Sequence, residues 1–207
     1  MKRGLFIVVD GLGGTGKTTQ LELLKKHLPE DAVFTQEPGG APRATKIRTI
    51  LKEGDGKAED PLTDFFLFWA ARAEHVAARV RPSLEEGKIV VSDRFDSSTF
   101  AMQIYGEEKL ELVDFFMQCR RVTLAGAEPD CYIILDADLA ISHTRRDERV
   151  EDKDRFDARD ESYQSRVRQG YKEFVKKFAE RAHLVDANRP PAEVDAEIWN
   201  IIRPLIR

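Results

Sequence analysis

Short apolar runs alternate along the chain with longer segments whose apolar side chains recur every three or four residues. The first run, residues 4–10, is rich in β-branched residues and is flanked by glycine, which is typical of a strand buried on both faces. Similar runs predict strands at 32–35, 88–92, 131–135 and 183–186. The segments between them predict helices at 17–28, 43–52, 61–81, 96–105, 107–121, 138–147, 158–181 and 191–203. This alternation favours an α/β fold, in which helices cover both faces of a five-stranded parallel sheet.

The helix predicted at 61–81 has a continuous apolar stripe. Pro61 opens this helix, and we expect it to end before Pro82 or slightly past it. The positions expected to face the core are Leu62, Phe65, Phe66, Trp69, Ala73, Val76 and Val80.

The length and charge of the chain limit its class. The 207 residues suit a single domain spanning 1–207. Because 33 Lys and Arg face 37 Asp and Glu, the net charge of −4 gives no general cationic field for nucleic acid or an anionic membrane. The apolar stretch 5–9 is too short for a membrane span or a signal peptide, so we expect a cytoplasmic protein. Cys119 and Cys131 match no redox or zinc spacing and are expected to be reduced packing residues.

The first predicted strand runs into a complete G-x-x-x-x-G-K-S/T motif at residues 11–18. Glycines in such a loop let successive backbone N–H groups point at a polyphosphate, and the following helix directs its positive end to the same point. Lys17 would reach the β- and γ-phosphate oxygens, and the Thr18 hydroxyl would bind Mg²⁺. The motif predicts a P-loop fold of three layers with an ATP site formed by Gly11, Leu12, Gly13, Gly14, Thr15, Gly16, Lys17, Thr18 and Thr19.

An Asp-Arg pair follows the third predicted strand. Asp93 and Arg94 would stand at a carboxyl end of the sheet facing the P-loop, with a carboxylate near Mg²⁺ and a cation that can hold a second phosphate. The chain has neither the N-K-x-D motif of GTPases nor the strand-terminal Asp-Glu of many ATPases. We therefore expect a transferase between two phosphorylated substrates, in which Thr18 and Asp93 hold the metal.

These residues resemble the thymidylate kinase family, the P-loop kinases that make dTDP from dTMP and ATP. The resemblance covers nearly the whole chain in order. Besides the P-loop, its motifs are Gln-Glu-Pro-Gly-Gly at 36–40, an arginine at 48, Phe-Trp-Ala-Ala-Arg at 68–72, Asp-Arg-Phe-Asp-Ser-Ser at 93–98, Pro-Asp at 129–130, Leu-Asp at 135–136, Asp-Arg-Phe at 154–156 and Asp-Ala-Asn-Arg-Pro at 186–190. The Glu-Pro-Gly-Gly loop, the arginine and the Asp-Arg pair are more selective than the P-loop.

The resemblance implies an acceptor site for dTMP. Arg48 and Arg94 would grip its monophosphate, which suits paired guanidinium groups better than lysines. Phe68, which by itself would be a core residue like its neighbours, would stack on the pyrimidine, and Arg72 one turn later would donate to a thymine carbonyl. The complete implied acceptor set is Glu37, Pro38, Arg48, Phe68, Arg72, Arg94, Ser98, Thr99 and Gln103.

A charged segment is the expected lid over ATP. Of the 22 residues at 142–163, six are positive and eight are negative. Because Gly14 leaves the P-loop without an arginine, the resemblance implies that this lid, at about 142–160, supplies the transition-state cation. The candidates are Arg145, Arg146, Arg149 and Arg155, with Arg149 and Arg155 preferred as catalytic residues. The adenine would rest on the loop at Asn188, and a homodimer would form through the apolar helices at 61–81 and 107–118.

Three positions depart from the family pattern. Gly13 stands where a carboxylate approaches the sugar 3′-hydroxyl, Met102 replaces a tyrosine that crowds the 2′ position, and Gln36 replaces a common arginine. We expect dTMP as the first acceptor, and dUMP or a modified pyrimidine as the second. The alternatives are a broader deoxypyrimidine monophosphate or deoxynucleoside kinase and, outside the enzymes, a protein that binds nucleotide without transferring phosphate.

Overall fold

A computed structural model describes residues 2–52, 60–147 and 159–206 of the chain. Its five strands are β1 (Phe6–Gly11), β2 (Val33–Gln36), β3 (Val90–Asp93), β4 (Cys131–Asp136) and β5 (Ala182–Asp186). All pairings are parallel, and the strand order is β2-β3-β1-β4-β5. The predicted five-stranded parallel sheet is thus confirmed, with strand ends within two residues of those expected.

Nine α-helices are assigned within the described ranges. They are α1 (Lys17–His27), α2 (Pro42–Lys52), α3 (Pro61–His75), α4 (Arg81–Glu85), α5 (Asp96–Thr99), α6 (Val113–Leu124), α7 (Leu139–Asp147), α8 (Glu161–Lys177) and α9 (Pro191–Ile202). A π-helical turn, Val76–Val80, joins α3 to α4, and a second π-helical segment, Phe100–Gly106, continues α5. The chain therefore stays helical past Pro82, which lies in the first turn of α4.

The predicted helix at 158–181 was too long at its carboxyl end. The helix ends at Lys177 because Phe178 leaves the helical region, with φ −118° and ψ 36°. The Phe178 ring packs on Phe174 with centroids 4.5 Å apart, and its carbonyl accepts from Arg181 N and Ala182 N. This tight turn delivers the chain directly into β5.

Two apolar cores lie on opposite faces of the sheet. On one face, Phe6 and Val8 of β1 pack in a cluster with side chains of α3, α6 and α8. On the other face, Ile7 and Val9 pack in a cluster with side chains of α1 and α9. The alternation of side chains along β1 thus supplies both cores, and the predicted three-layer arrangement is confirmed.

The predicted apolar stripe of α3 was wrong at two positions. Phe66 is 49% exposed and Ala73 is exposed, whereas Phe65 and Trp69 are buried as expected. The reason is that α3 is covered on two sides, since α2 packs against its second side around Ala71. The remaining side of α3 faces outward.

The described part of the chain contains no helix long and apolar enough to cross a membrane. Both cysteines are free, as predicted. Cys131 lies within β4, where burial raises the pKa of its thiol to about 12, and burial also raises the pKa of the half-buried Cys119. Neither thiol has the lowered pKa of a reactive cysteine.

Candidate active site

The P-loop forms a tight cradle between β1 and α1. Its turns need positive φ angles, which are 144° at Gly11, 82° at Gly14 and 94° at Gly16, and glycine adopts these without steric cost. The Lys17 ammonium curls back and donates to Gly11 O and Leu12 O, both at 2.9 Å. The first turn of α1 points into the cradle, so backbone N–H groups and a cation converge there, an arrangement suited to a polyphosphate.

Helix α7 lies directly on the P-loop at Gly14. A Cβ atom at Gly14 would stand 2.1 Å from Ser142 O, so only glycine permits this approach. Beside the contact is a cavity of about 210 Å³, whose lining includes Gly14, Thr19 and Arg145. Arg145 donates to Ala187 O at 2.9 Å, which places a lid-side arginine between the P-loop and the loop after β5. The cavity thus lies between the P-loop, α7 and the loop after β5.

Asp10 is a wholly buried carboxylate at the end of β1, beside the P-loop. Its two oxygens accept hydrogen bonds of 2.6 to 3.2 Å from Gly11 N, Ser97 Oγ, Ser98 Oγ, Tyr171 OH and Arg94 Nη1. A buried charge is tolerated when it is bonded in this way. The network ties the P-loop to α5 and to α8.

Asp93 and Arg94, at the carboxyl end of β3, have different surroundings. Arg94 has a φ of 65°, unusual for a residue with a side chain, and its N–H donates to Val9 O at 2.9 Å. Asp93 faces a cavity of about 450 Å³ that Thr18 also lines. Its Oδ1 atom is buried and has no hydrogen-bond partner among the described residues. A buried carboxylate oxygen without a donor is suited to a cation.

Glu37 organises the loop after β2. It is buried, and its two oxygens accept from Arg72 Nε at 2.8 Å and His75 Nδ1 at 2.9 Å. Arg72 is 1% exposed and uses its Nη2 atom for Phe95 O and Thr99 Oγ1, at 3.0 and 3.1 Å. Its Nη1 atom is buried and has no hydrogen-bond partner in the described chain. The Nε and Nη2 atoms of Arg72 are therefore held by the protein, while its Nη1 atom can donate to another group.

The second unsatisfied group near Arg72 is the side-chain amide of Gln103. Gln103 is 1% exposed, and neither its Oε1 nor its Nε2 atom has a partner within the described residues. It lies one turn after Thr99, the residue that accepts from Arg72. Phe68, one turn before Arg72, is buried and packs against Met102. An aromatic ring, a guanidinium group and a free amide thus stand around one region between α3 and the π-helical segment.

Arg48 lies at the entrance to this region. Its Nη1 atom donates to Pro38 O at 2.7 Å, which holds it against the loop that follows β2. A Cβ atom at Gly39 would stand 3.7 Å from the Arg48 side chain. The loop and α2 therefore form one wall of this region.

Comparisons with known proteins agree on one family. A sequence profile described as thymidylate kinase matches residues 9–198. The chain is 36% identical over 205 residues to a thymidylate kinase of Symbiobacterium thermophilum, covering 98% of this chain and 94% of the relative. It is 35% identical over 201 residues to a thymidylate kinase of Mesoplasma florum, covering 96% and 94%. The crystal structure of thymidylate kinase from Ehrlichia chaffeensis superposes with a TM-score of 0.78 at 28% identity, over 97% of this chain and 99% of that one.

The chain belongs to the thymidylate kinase family. The resemblance read from the motifs is therefore confirmed, and with it the prediction of an ATP-dependent dTMP kinase. The geometry brings most of the candidate residues together at the carboxyl ends of β1, β2 and β3. Ser98 and Thr99 lie there too, but their hydroxyls serve Asp10 and Arg72.

Asn188 lies apart from this group of candidate residues. The Asn188 side chain bonds to Asp138 N and to Asp186, at 2.9 and 2.8 Å, so it links α7 to the loop after β5. The neighbours of Asn188, Ala187 and Arg189, line the cavity beside Gly14, whereas Asn188 itself does not. Arg149 and Arg155 fall outside the described residues.

Sequence reasoning missed two members of the site. Asp10 could have been found from the sequence, because an acidic residue at the end of a strand buried on both faces needs hydrogen-bond partners. Tyr171 could not, because its position in an amphipathic helix fits a core residue. Only the packing of α8 shows that its hydroxyl reaches Asp10.

Proposed function

We propose that the chain reads thymine with Arg72 and Gln103 while transferring the ATP γ-phosphate to dTMP. The supporting observation is that both residues are buried yet keep unsatisfied polar atoms. Guanidinium groups only donate hydrogen bonds, so Arg72 requires an acceptor such as the C4 carbonyl of thymine and disfavours the amino group of cytosine. The Gln103 amide can accept from the N3–H and donate to a neighbouring carbonyl. Phe68 would stack on the ring.

Arg48 and Arg94 are the proposed ligands of the acceptor phosphate. They stand on opposite sides of the acceptor region, Arg48 against Pro38 and Arg94 against the P-loop. Two planar guanidinium groups can each engage two phosphate oxygens, which fixes the orientation of the acceptor as well as its charge. Such positioning is the main contribution that a protein makes to phosphoryl transfer.

The donor side is assigned to the P-loop. The backbone N–H groups of 11–18 and the Lys17 ammonium would hold the ATP phosphates, with Thr19 and the residues around Asn188 nearer the nucleoside. The cavity shared by Thr18 and Asp93 fits Mg²⁺, since it offers a hydroxyl and a buried carboxylate oxygen without a partner. When bound, Mg²⁺ would neutralise charge on the transferred phosphate. Arg149 and Arg155 remain the proposed lid cations.

A homodimer is the proposed assembly. The outward side of α3 and of the π-helical turn that follows it carries Phe66, Ala70, Ala73 and Ala77, all exposed and spaced along one stripe. Phe115 of α6 lies beside it, with its ring centroid 6.0 Å from that of Phe66. Small and aromatic side chains on one face allow two helices to approach closely and bury apolar surface. A cytoplasmic location of this dimer stays a prediction.

The part of the site that would face the acceptor sugar has space for a second substrate. Gly13 places no side chain near the acceptor, and Met102 packs flexibly against Phe68. We therefore keep dUMP as a secondary acceptor, and a broader deoxypyrimidine kinase as the alternative function.

Incubation with dTMP and ATP labelled at the γ-phosphate tests the proposal. The label should appear in dTDP, and only in the presence of Mg²⁺. Release of the label as inorganic phosphate alone, or no release with ATP still bound, would instead identify a hydrolase or a nucleotide-binding protein.

A further inference from the structure

The Nη1 atom of Arg94 is shared among several acceptors of the buried Asp10 network. Arg94 Nη1 lies 3.0 Å from Gly11 O, 3.1 Å from Ser98 Oγ, and 3.2 Å from both Asp10 Oδ1 and Tyr171 OH. One Nη atom has two N–H bonds, so it cannot satisfy four acceptors at once. The Tyr171 hydroxyl is closer to Asp10 Oδ1, at 2.8 Å, and is the stronger partner of that oxygen.

Tyr171 stays a donor in this setting. The side chain is 3% exposed. Burial and the negative charge of Asp10 raise the pKa of Tyr171 well above its ordinary value, so the hydroxyl keeps its proton. Asp10 Oδ1 therefore always has a neutral donor that does not depend on Arg94.

A glycine brings Tyr171 to this position. A Cβ atom at Gly170 would stand 2.8 Å from the Ala101 Cα atom and 2.7 Å from the Tyr105 Cβ atom. The missing side chain lets α8 cross the π-helical segment closely, and the next residue, Tyr171, then reaches the P-loop. The sequence thus provides both the hydroxyl and the space that it needs.

We infer that Tyr171 is a positioning residue that keeps Arg94 available for the acceptor phosphate. The hydroxyl adds a neutral donor to those that Gly11 N and Ser98 Oγ give Asp10 Oδ1, so Arg94 can leave the carboxylate for a phosphate while the buried charge stays well bonded. Without the hydroxyl, Oδ1 keeps only Gly11 N and the single proton of Ser98 Oγ, which lies equally close to Oδ2, so the departure of Arg94 leaves the buried carboxylate short of donors. The inference rests on the proposed role of Arg94 as a phosphate ligand.

The variant Tyr171→Phe tests this, with Tyr163→Phe as its matched control. Tyr163 lies on the same helix and is 1% exposed, and its hydroxyl donates to the Met102 carbonyl, at 3.4 Å, rather than to Asp10. In Tyr171→Phe, the KM for dTMP should rise about tenfold, which is the expected cost of losing a hydrogen bond to a charged group, while the KM for ATP stays within about twofold. Tyr163→Phe should leave both constants unchanged.

Thymidine separates positioning from packing, because it lacks the phosphate that Arg94 binds. Its inhibition constant should be equal in the wild type and in Tyr171→Phe, while the affinity for dTMP, measured by calorimetry, falls. An unchanged KM for dTMP, or equal losses for thymidine and dTMP, would overturn the inference. A wild-type chain that does not phosphorylate dTMP would instead refute the proposed function, so the two failures are distinguishable.

Discussion

Lys17 and Arg94 donate to the same acceptor, the carbonyl oxygen of Gly11, at 2.9 and 3.0 Å. Lys17 belongs to the P-loop and Arg94 to the end of β3, so two cations from separate elements meet at one point. Their mutual repulsion is relieved when an anion arrives between them. This carbonyl therefore marks where the donor and acceptor phosphates are expected to meet.

Removal of the P-loop cation should abolish transfer. We expect Lys17→Ala to lower kcat by at least about a hundredfold, because a preorganised donor to developing charge is lost. Coupled assays at saturating ATP and dTMP measure this. Near wild-type turnover in a folded Lys17→Ala protein would contradict the assignment of the P-loop.

The side-chain amide of Gln103 should contribute to the binding of dTMP and not to the stability of the fold. Gln103→Leu removes two buried atoms without partners, so the free energy of unfolding should stay equal or rise by about 1 kcal/mol. The KM for dTMP should rise by about tenfold or more, because the thymine edge loses its partner, and the KM for ATP should not change. Urea unfolding and steady-state kinetics give the two values. A marked loss of stability with an unchanged KM for dTMP would show that Gln103 is structural.

Asp93 should set the requirement for magnesium. In Asp93→Asn, the Mg²⁺ concentration that gives half-maximal rate should rise by about tenfold or more, since an amide is a poorer ligand than a carboxylate. The melting temperature should hardly move, because the buried Oδ1 atom has no donor in the described structure to lose. An unaltered Mg²⁺ dependence would place the metal elsewhere.

The contact between α7 and the P-loop is testable at Gly14. Gly14→Ala introduces strain at φ 82° and a clash with Ser142 O, so α7 must move and the KM for ATP should rise. Gly126→Ala is the control, since Gly126 has φ 90° with open space around it and should lose only about 1 kcal/mol of stability. Equal effects of both variants on the KM for ATP would exclude a role for the α7 contact.

The stripe on α3 should form the dimer interface. Ala73→Glu places a charge in its centre and should halve the molar mass measured by light scattering. Ala192→Glu, on an exposed position of α9, should leave the mass unchanged. A monomeric wild type, or a Ala73→Glu protein of unchanged mass, would refute this interface.

Much of the fold could be predicted because the sequence pattern of each segment agrees with its place in the folded protein. The β-branched run before the P-loop marks β1, and the glycines at 11, 14 and 16 require the positive φ angles that the loop adopts. The carboxyl ends of parallel strands share one edge, which explains why Asp93 and the P-loop were expected to face each other.

The remaining features depend on tertiary packing. Periodicity gave α3 one apolar stripe, but α2 covers a second side and leaves Phe66 exposed. Likewise, the pattern of α8 marks Tyr171 as a core residue, and nothing local shows that Gly170 lets its hydroxyl reach Asp10. Contacts between segments that are distant in sequence leave no periodic pattern in it, so only the folded structure shows them.

The most direct measurement is kcat/KM with ATP·Mg²⁺ across dTMP, dUMP, UMP, dCMP and dGMP. Recognition of the thymine edge by Arg72 and Gln103 predicts turnover of dTMP and of dUMP, which has the same edge, and little turnover of dCMP and dGMP. Packing of the thymine methyl group predicts the highest value for dTMP. A higher value for dCMP or dGMP than for dTMP, or no transfer to any of the five, would contradict the account.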